Sequence, residues 1–285
     1  KNLVLAAAVA AILSACIAQS AFAGSIVAWG WNDDGQCNIL SPNTGFVAIA
    51  AGVAQSLGLK SDGSIVAWGW NAYGQCNIPS PNTDFIAIAA GVHHSLGLKR
   101  DGSIVAWGRN DDGQCNVPSP NSGFVAVAAG EDHSLGLKED GSIVAWGYNE
   151  DGQCNIPSPN TNFTAMAGGY FHSLGLKADG SIVAWGGNGD GQCNIPSPNT
   201  DFIAIAADSY GSHSLGLKAD GSIVAWGRNE DGQCNVLSPN SGFVAIAAGS
   251  WHSLAIAECQ YALVGGMNDD CKVDFSDFAL MAANW

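Results

Sequence analysis

The chain has 285 residues, of which 47% are hydrophobic and 12% are charged, and its net charge is −15. The apolar content is enough for a sizeable core. The acidic balance argues against nucleic acid as a partner, because such a surface repels phosphate backbones.

The N-terminus has the pattern of a signal peptide. Lys1 precedes an apolar run, and Ala21-Phe22-Ala23 then offers small residues for cleavage, which predicts a signal peptide over 1–23. Cleavage before Cys16 is the alternative, since Leu13-Ser14-Ala15-Cys16 resembles a lipobox and would leave Cys16 as a lipid anchor. The run is too short for a comfortable membrane span. Either cut predicts a protein that is secreted, periplasmic or attached to the cell surface.

A unit of about 39 residues then recurs six times. The same tryptophan marks every copy, at Trp29, Trp68, Trp107, Trp146, Trp185 and Trp226. Repeats with a period in this range cannot bury their apolar faces alone and stack on their neighbours. The repetition also separates fixed positions, which report structure, from variable positions, which are free for function.

Each unit contains three short β-rich runs, for example 85–90, 94–99 and 103–108. Asp101-Gly102 between two of these runs predicts a tight hairpin, because Gly takes positive φ without strain. The stretch 115–120 contains two prolines, and Pro cannot donate to a strand ladder, so a loop is expected there. The pattern predicts a three-stranded meander followed by a Pro-rich crossover.

Both faces of these runs are apolar or small, so each sheet is expected to pack between similar sheets. The repeated tryptophan lies inside a strand and is expected to pack between neighbouring blades. The first repeat supplies only a third strand, 25–30, and the last ends with a second strand, 252–257. These incomplete ends complement each other. We therefore predict an all-β, six-bladed β-propeller over 24–258, with seven blades as the alternative, closed by N- and C-terminal strands that share a blade.

Three segments of the unit carry a family resemblance. They are Ala-Ala-Gly-x-x-His-Ser-Leu, as in 89–96, Asp-Gly-Ser-Ile-Val-Ala-Trp-Gly-x-Asn, as in 101–110, and Gly-Gln-Cys-Asn, as in 113–116. The units resemble repeats of the regulator of chromosome condensation propeller family over more than four-fifths of the chain. Their shortness is similar to a bacterial branch that includes a secreted β-lactamase-inhibitor protein. That family typically has seven blades, and its nuclear exchange-factor role is not carried over to an exported chain.

The up–down–up course of each blade places the loops after strands one and three on one rim. These loops are where the units differ, and the variable residues are mostly aromatic or Arg, the types that anchor protein interfaces. We predict a partner-binding rim of ten residues: Trp31, Trp70, His93, Arg109, Tyr148, Tyr170, Phe171, Tyr210, Arg228 and Trp251. The alternative is that these aromatics fold back and pack on their own blades.

The function predicted from this pattern is that of an exported, non-enzymatic binding protein with a protein partner. Binding of carbohydrate or cell wall is an alternative, because aromatic platforms also stack on sugars. A glycan-active propeller enzyme is a weaker alternative, since the propeller offers no unique acid–base pair. The His that recurs before Ser-Leu is expected to be a hydrogen-bonding residue at a strand entry rather than a zinc ligand.

The tail, 259–285, departs from the repeat. Residues 266–277 resemble one calcium loop of a type I dockerin, and Asn268, Asp270, Asp274 and Asp277 fit ligand positions 3, 5, 9 and 12. Cys271 replaces the Gly that the turn of such a loop requires. Two interpretations stay open: a weak calcium site on these four residues, or an acidic tail without a ligand. No other cofactor is predicted.

Overall fold

The computed structural model describes residues Ala7–Ala8 and 24–257. All of the regular elements in this part of the chain are β-strands. The strands are β1 (Ala7–Ala8); blade one, β2 (Phe46–Ala51), β3 (Gln55–Lys60) and β4 (Ile65–Gly69); blade two, β5 (Phe85–Ala90), β6 (His94–Lys99) and β7 (Ile104–Gly108); blade three, β8 (Phe124–Ala129), β9 (His133–Lys138) and β10 (Ile143–Gly147); blade four, β11 (Phe163–Gly168), β12 (His172–Lys177) and β13 (Ile182–Gly186); blade five, β14 (Phe202–Ala207), β15 (His213–Lys218) and β16 (Ile223–Gly227); and blade six, β17 (Phe243–Ala248) and β18 (Ser253–Ala257). The predicted all-β fold of repeated three-stranded units is confirmed.

Blades one to five are antiparallel meanders in which the second strand pairs with both neighbours. Residues of the second strand are almost fully buried, as expected for a sheet that is covered on both faces. Blade six differs, because β17 and β18 form a sheet with β1, which runs parallel to β17.

The hairpin between the second and third strands follows the Asp-Gly prediction. Gly63 has a φ of 81°, the left-handed region that favours glycine. The Asp62 carboxylate accepts hydrogen bonds from the backbone N–H and the hydroxyl of Ser64, at 2.9 and 2.7 Å. The same arrangement recurs at Asp101, Asp140, Asp179 and Asp220.

The Pro-rich stretch forms the predicted crossover loop, and an asparagine in it ties one blade to the next. The Asn82 side chain accepts from the N–H of Ile65 and donates to its carbonyl, both at 2.8 Å. Asn82 thereby joins the third strand of blade one to the loop that enters blade two. The Ser–Pro peptide bond in this loop is cis in all six units.

The repeated tryptophan packs between blades, as predicted. Trp107 of blade two lies in a buried cluster with Leu57 of blade one and Phe85 of its own blade. Its indole N–H donates to the carbonyl of Gln75 in the preceding unit at 2.8 Å. The core of the molecule is therefore divided into similar clusters, one at each junction between consecutive blades.

One feature of the predicted closure is not formed in this structure. Residues 25–30 do not pair with β18; they lie against blade one, where Gly24 bridges to Phe46 and the Asn43 side chain bonds both backbone groups of Ile26. These are the contacts that each third strand makes with the following blade. Pairing with β18 also requires blade six to pack on blade one, and the structure shows no such packing among the described residues.

Several predictions lie outside the described residues. They are the signal peptide over 1–23 apart from β1, the lipid anchor at Cys16, and the tail with Asn268, Asp270, Asp274 and Asp277. Among residues 24–257 no helix has the length and apolarity needed to cross a bilayer. The same residues contain no cluster of three acidic, His or Cys side chains arranged to hold a metal ion.

Candidate protein-binding rim

The loops after the first and third strands meet within each blade. The backbone N–H of Arg109 donates to the carbonyl of His93 at 2.9 Å, and the N–H of Tyr148 donates in the same way to Asp132 at 2.8 Å. Neighbouring blades are also linked, since the N–H of Tyr170 donates to Gly211 at 3.3 Å. The structure therefore brings the variable loops onto one continuous rim.

The first arm of this rim spans blades one to three. Trp70 meets the edge of His93 with ring centroids 4.9 Å apart, and Tyr73 stacks on His93 at 5.3 Å. The Arg109 guanidinium lies over the Tyr73 ring at 5.9 Å, within the range of a cation–π interaction. Arg109 then donates to Asp132 at 2.8 Å.

The second arm spans blades three to six. The centroids of the Tyr170 and Phe171 rings are 3.9 Å apart, and those of Tyr148 and Phe171 are 6.1 Å apart. Tyr210 lies in a loop that is two residues longer than in the other units, since Trp185 and Trp226 are 41 residues apart, and its ring contacts Tyr170 at 5.2 Å and Trp251 at 6.3 Å. Tyr210 and Trp251 remain 41% and 54% exposed, so these rings are available to a partner.

Glu131 connects the two arms. It does so through its backbone, since its N–H donates to the carbonyl of Gly169 at 3.3 Å and its own carbonyl accepts from the N–H of Val92 at 3.4 Å. Burial, reinforced by the nearby Asp132 carboxylate, raises the pKa of Glu131 to about 7. We call the whole set the rim ribbon: Trp70, Tyr73, His93, Arg109, Glu131, Asp132, Tyr148, Tyr170, Phe171, Tyr210 and Trp251.

Asp132 is the buried charge that holds the first arm in place. One carboxylate oxygen accepts from Arg109, and the other accepts from the side-chain amide of Gln114 at 2.9 Å. In other units the equivalent Gln amide nitrogen is buried without a partner, as at Gln75 and Gln153. Asp132 therefore satisfies two donors at once: the Arg109 guanidinium and the Gln114 amide, whose equivalents at Gln75 and Gln153 have no partner.

Two of the ten predicted residues lie outside the rim ribbon. Trp31 is 56% exposed and lines a cavity of about 300 Å³ beside Trp29, at the start of blade one. Arg228 pairs with Glu230 in its own loop at 2.5 Å. The other eight predicted residues are joined in the ribbon, and they contact rings on neighbouring blades instead of only folding back on their own.

Sequence reasoning missed Tyr73, Glu131 and Asp132. Tyr73 occupies a position where the other five units carry Asp, so its departure from the repeat was a detectable signal. Glu131 and Asp132 belong to the variable loop, but their charge gave no reason to single them out. Only the structure shows Asp132 satisfying Arg109 and Gln114 together.

The repeated histidines form links between blades, as expected for residues at a strand entry. The His133 Nε2 atom lies 2.9 Å from the hydroxyl of Ser173 in the next blade, and that hydroxyl donates its proton to the carbonyl of Gln153. Nε2 must therefore carry the hydrogen and donate to Ser173. Burial lowers the pKa of His133 to about 3, so the ring is neutral and does not activate the hydroxyl.

A family model for the regulator of chromosome condensation (RCC1) repeat matches five segments, residues 46–75, 85–114, 124–153, 163–192 and 202–233. Together these segments cover just over half of the chain. The chain belongs to the RCC1 repeat family. Among the curated proteins, none matches the sequence.

Solved structures show the same RCC1-type propeller fold. Prp20p from Saccharomyces cerevisiae aligns with a TM-score of 0.68 and 21% identity, over 81% of this chain and 78% of that protein. The ectodomain of the Physcomitrella patens receptor kinase CR4 aligns with a TM-score of 0.63 and 20% identity, over 74% of this chain and 61% of that one. Human WBSCR16 aligns with a TM-score of 0.58 and 20% identity, over 74% and 72%.

The Glu131 carboxyl makes stability depend on pH in a way that one substitution tests. Its folded-state pKa of about 7 lies above the ordinary value of 4.5, so the folded protein holds this proton more tightly than the unfolded chain. This contribution to the unfolding free energy is complete below pH 4.5 and is lost as the pH rises to about 7. We expect Glu131→Gln to remove that decline, measured as the urea midpoint across this range.

Glu139→Gln is the matched control for this experiment, because Glu139 is an exposed acid in the opposite hairpin. Asp132 also has a raised pKa, because it is buried, and therefore contributes its own pH dependence. The informative quantity is thus the difference between each variant and the wild type. Parallel pH profiles for the wild type and Glu131→Gln would contradict the burial of this carboxyl.

Proposed function

We propose that this protein is an exported, non-catalytic binding propeller that holds a protein partner on the rim ribbon. One observation carries the proposal: aromatic and charged residues from successive blades, starting at Trp70 and ending at Trp251, form one chain of contacts along a single rim, with the hydrogen bond from the Tyr148 N–H to the Asp132 carbonyl joining its two arms. Exposed aromatic surface, which the ribbon presents at Tyr73, Tyr210 and Trp251, is rarely without a role. The predicted signal peptide over 1–23 supports export.

Relatives of the same fold are proteins that bind other proteins. Prp20p has binding properties towards Gsp1p and histones, and Kap60 binds yeast RCC1. With about 21% identity to these proteins, the present chain shares their fold, and its own rim residues must define its partner. We therefore infer protein binding as the common mode without transferring any of these partners.

The chemistry of the ribbon describes the surface that would fit it. Its aromatic rings provide flat apolar contact area, and Tyr and Trp are the side chains that most often dominate binding energy. Carboxylates border the rings: Asp111 lies 2.9 Å from Arg109, and Glu150 accepts from the Tyr148 hydroxyl at 3.1 Å. A partner surface with apolar side chains flanked by Lys or Arg complements this pattern.

The buried polar groups of the repeat support a non-catalytic role. Burial keeps four of the repeated His neutral, at His94, His133, His172 and His213, and each donates to a Ser that is already bonded to a carbonyl. Burial raises the pKa of the Cys115 thiol to about 11 and that of Cys154 to about 12, so these thiols stay protonated and are poor nucleophiles.

Substitutions inside and outside the ribbon test the proposal. Immobilised wild type is incubated with the secreted proteins of the source organism, captured proteins are identified, and the dissociation constant of each is measured. We expect Tyr170→Ala to weaken a true partner roughly 30-fold, about 2 kcal/mol, because Tyr170 contacts both Phe171 and Tyr210. Trp31→Ala is the matched control, since Trp31 is an exposed aromatic outside the ribbon.

Equal affinities for wild type and Tyr170→Ala would overturn the assignment of the ribbon as the contact surface. The carbohydrate alternative is separated by a glycan array. Binding to glycans that depends on Tyr210 and Trp251, with no protein captured, would replace the protein-binding proposal.

A further inference from the structure

The core between blades five and six differs from the other described cores. Four buried clusters each contain one repeated tryptophan from the third strand of the following blade, at Trp107, Trp146, Trp185 and Trp226. The cluster between blades five and six contains Leu215, Leu217, Ile223 and Ile246 but no tryptophan. Blade six has no third strand among the described residues to supply one.

A cavity lies where that tryptophan would be expected. Its volume is about 330 Å³, and it is lined by Leu215, Ile223, Phe243 and Ser253, among others. Gln233 also lines the cavity, and its backbone carbonyl can accept one more hydrogen bond. In blade five the corresponding carbonyl, that of Gln192, accepts from both a Ser hydroxyl and a Trp indole, whereas among the described residues the carbonyl of Gln233 accepts from Ser253 alone. We call this cavity the tryptophan socket.

The strand edge beside the socket is open in the part of the chain that the structure describes. In blades one to five the second strand is paired on both sides, and its leucines are buried. In blade six the outer edge of β18 has no described partner, and Leu254 and Ile256 are each 60% exposed. An exposed apolar edge strand is a template for pairing with a further strand.

Residues 25–30 match the third strand and the tryptophan that are missing beside β18 and the socket. Their sequence, Ser-Ile-Val-Ala-Trp-Gly, is the one that forms every third strand, as in 64–69. They already make the contacts of a third strand with the next blade, through Asn43 and Ile26. They pair with no second strand in the described part of the chain, and Val27 and Trp29 are 75% and 84% exposed.

Within one copy the two halves lie apart. Blade one packs on blade two, and blade six packs on blade five, but no comparable packing joins blade one to blade six among the described residues. We propose that the socket and the β18 edge of one copy bind residues 25–30 of a second copy. Each copy carries one donor strand and one socket, so strand exchange fills both without a further partner.

The repeat fixes the register of this pairing. In blade five, Ser214 lies opposite Trp226 and Leu215 lies opposite Ala225. The corresponding pairs in the exchanged blade are Ser253 with Trp29, and Leu254 with Ala28. In this register the indole of Trp29 enters the socket and donates to the carbonyl of Gln233, as Trp226 does to Gln192.

A disulfide test with two single variants distinguishes exchange between copies from closure within one copy. Ala28→Cys and Leu254→Cys place thiols on opposed positions, close enough for a disulfide in the exchanged pairing. Both substitutions are at positions outside the buried core, so each variant is expected to fold. The full chain is used, and each variant alone controls for the nine native cysteines.

We expect the mixture of the two variants to form a disulfide-linked species of twice the 29.2 kDa chain mass under oxidising conditions. Neither variant alone should form it, and adding Trp29→Ala to the Ala28→Cys copy should abolish it. A double variant that cross-links only within itself, with no product from the mixture, would overturn the proposal in favour of closure in one copy. Absence of both products would overturn it as well.

The rim ribbon and the tryptophan socket share one residue, Trp251, which lines the cavity, so Tyr170 is the residue that separates the two proposals. Tyr170→Ala should leave the cross-linked product unchanged, because Tyr170 lines no part of the cavity and reaches Trp251 only through Tyr210. Loss of partner binding with intact exchange, or the reverse, separates failure of one proposal from failure of the other.

Discussion

Replacing Gly130 with Ala is expected to lower the free energy of unfolding by about 3 kcal/mol. A Cβ atom at this position would lie 2.6 Å from the backbone carbonyl oxygen of Gly169 and would overlap the ring of His133. His133 is fully buried and bonded to Ser173, so the ring cannot swing away without breaking the link to the next blade. Overpacking costs about 1–3 kcal/mol, and the broken hydrogen bond adds to it.

Gly189→Ala is the matched control for this substitution, because a Cβ at Gly189 meets no atom within 4 Å. Chemical denaturation followed by tryptophan fluorescence measures both variants against the wild type. We expect a change within about 0.5 kcal/mol for Gly189→Ala. A Gly130→Ala midpoint as high as that of Gly189→Ala would show that the loop has room for a side chain, and the inferred packing of His133 would be wrong.

Trp146→Ala is expected to be the most destabilising single substitution, at about 3–5 kcal/mol. The indole is 6% exposed and packs with Leu96 and Phe124 between blades two and three. Its removal leaves a large cavity, and the carbonyl of Gln114 loses its indole donor. Trp146→Phe should recover part of the loss, because it restores ring packing but not the hydrogen bond.

Trp251→Ala provides the contrast on the same scale. Trp251 lies on the rim with more than half of its surface exposed, so its removal should change the unfolding free energy by less than about 1 kcal/mol. Equilibrium unfolding in urea measures the unfolding free energies of Trp146→Ala, Trp146→Phe and Trp251→Ala against the wild type. Equal losses for Trp146→Ala and Trp251→Ala would contradict the division of tryptophans into inter-blade packing and rim positions.

Much of the fold could be predicted from the repeat. Asp62 and Gly63 predicted their hairpin because only a short turn with positive φ connects two β-rich runs at that spacing. The prolines near Asn82 predicted a loop because they cannot donate to a ladder. These signals are local, and the successive copies of the repeat carry them at the same positions, so each copy leads to the same prediction.

The candidate site could be predicted only in part. Up-and-down topology placed Tyr170, Tyr210 and Trp251 on one rim, and the structure joins their rings. Trp31 belonged to the same sequence class but makes no ring contact on the rim, because blade one carries Ala54 at the position where blade two offers His93 to Trp70. Position within the repeat identifies the rim, whereas contact with a neighbour depends on what the neighbouring blade supplies.

The sequence alone determined the repeat, the three-stranded unit, the role of the inter-blade tryptophan and the rim on which the variable loops lie. These follow from periodicity and from the backbone preferences of Gly, Pro and Asp, which are properties of short segments. Only the tertiary structure decided that Asp132 bridges Arg109 and Gln114, that the Glu131 backbone connects the two arms, and that residues 25–30 lie on blade one and leave β18 without a described partner on its outer edge. Those features depend on distances between blades, which the pattern within one unit does not fix.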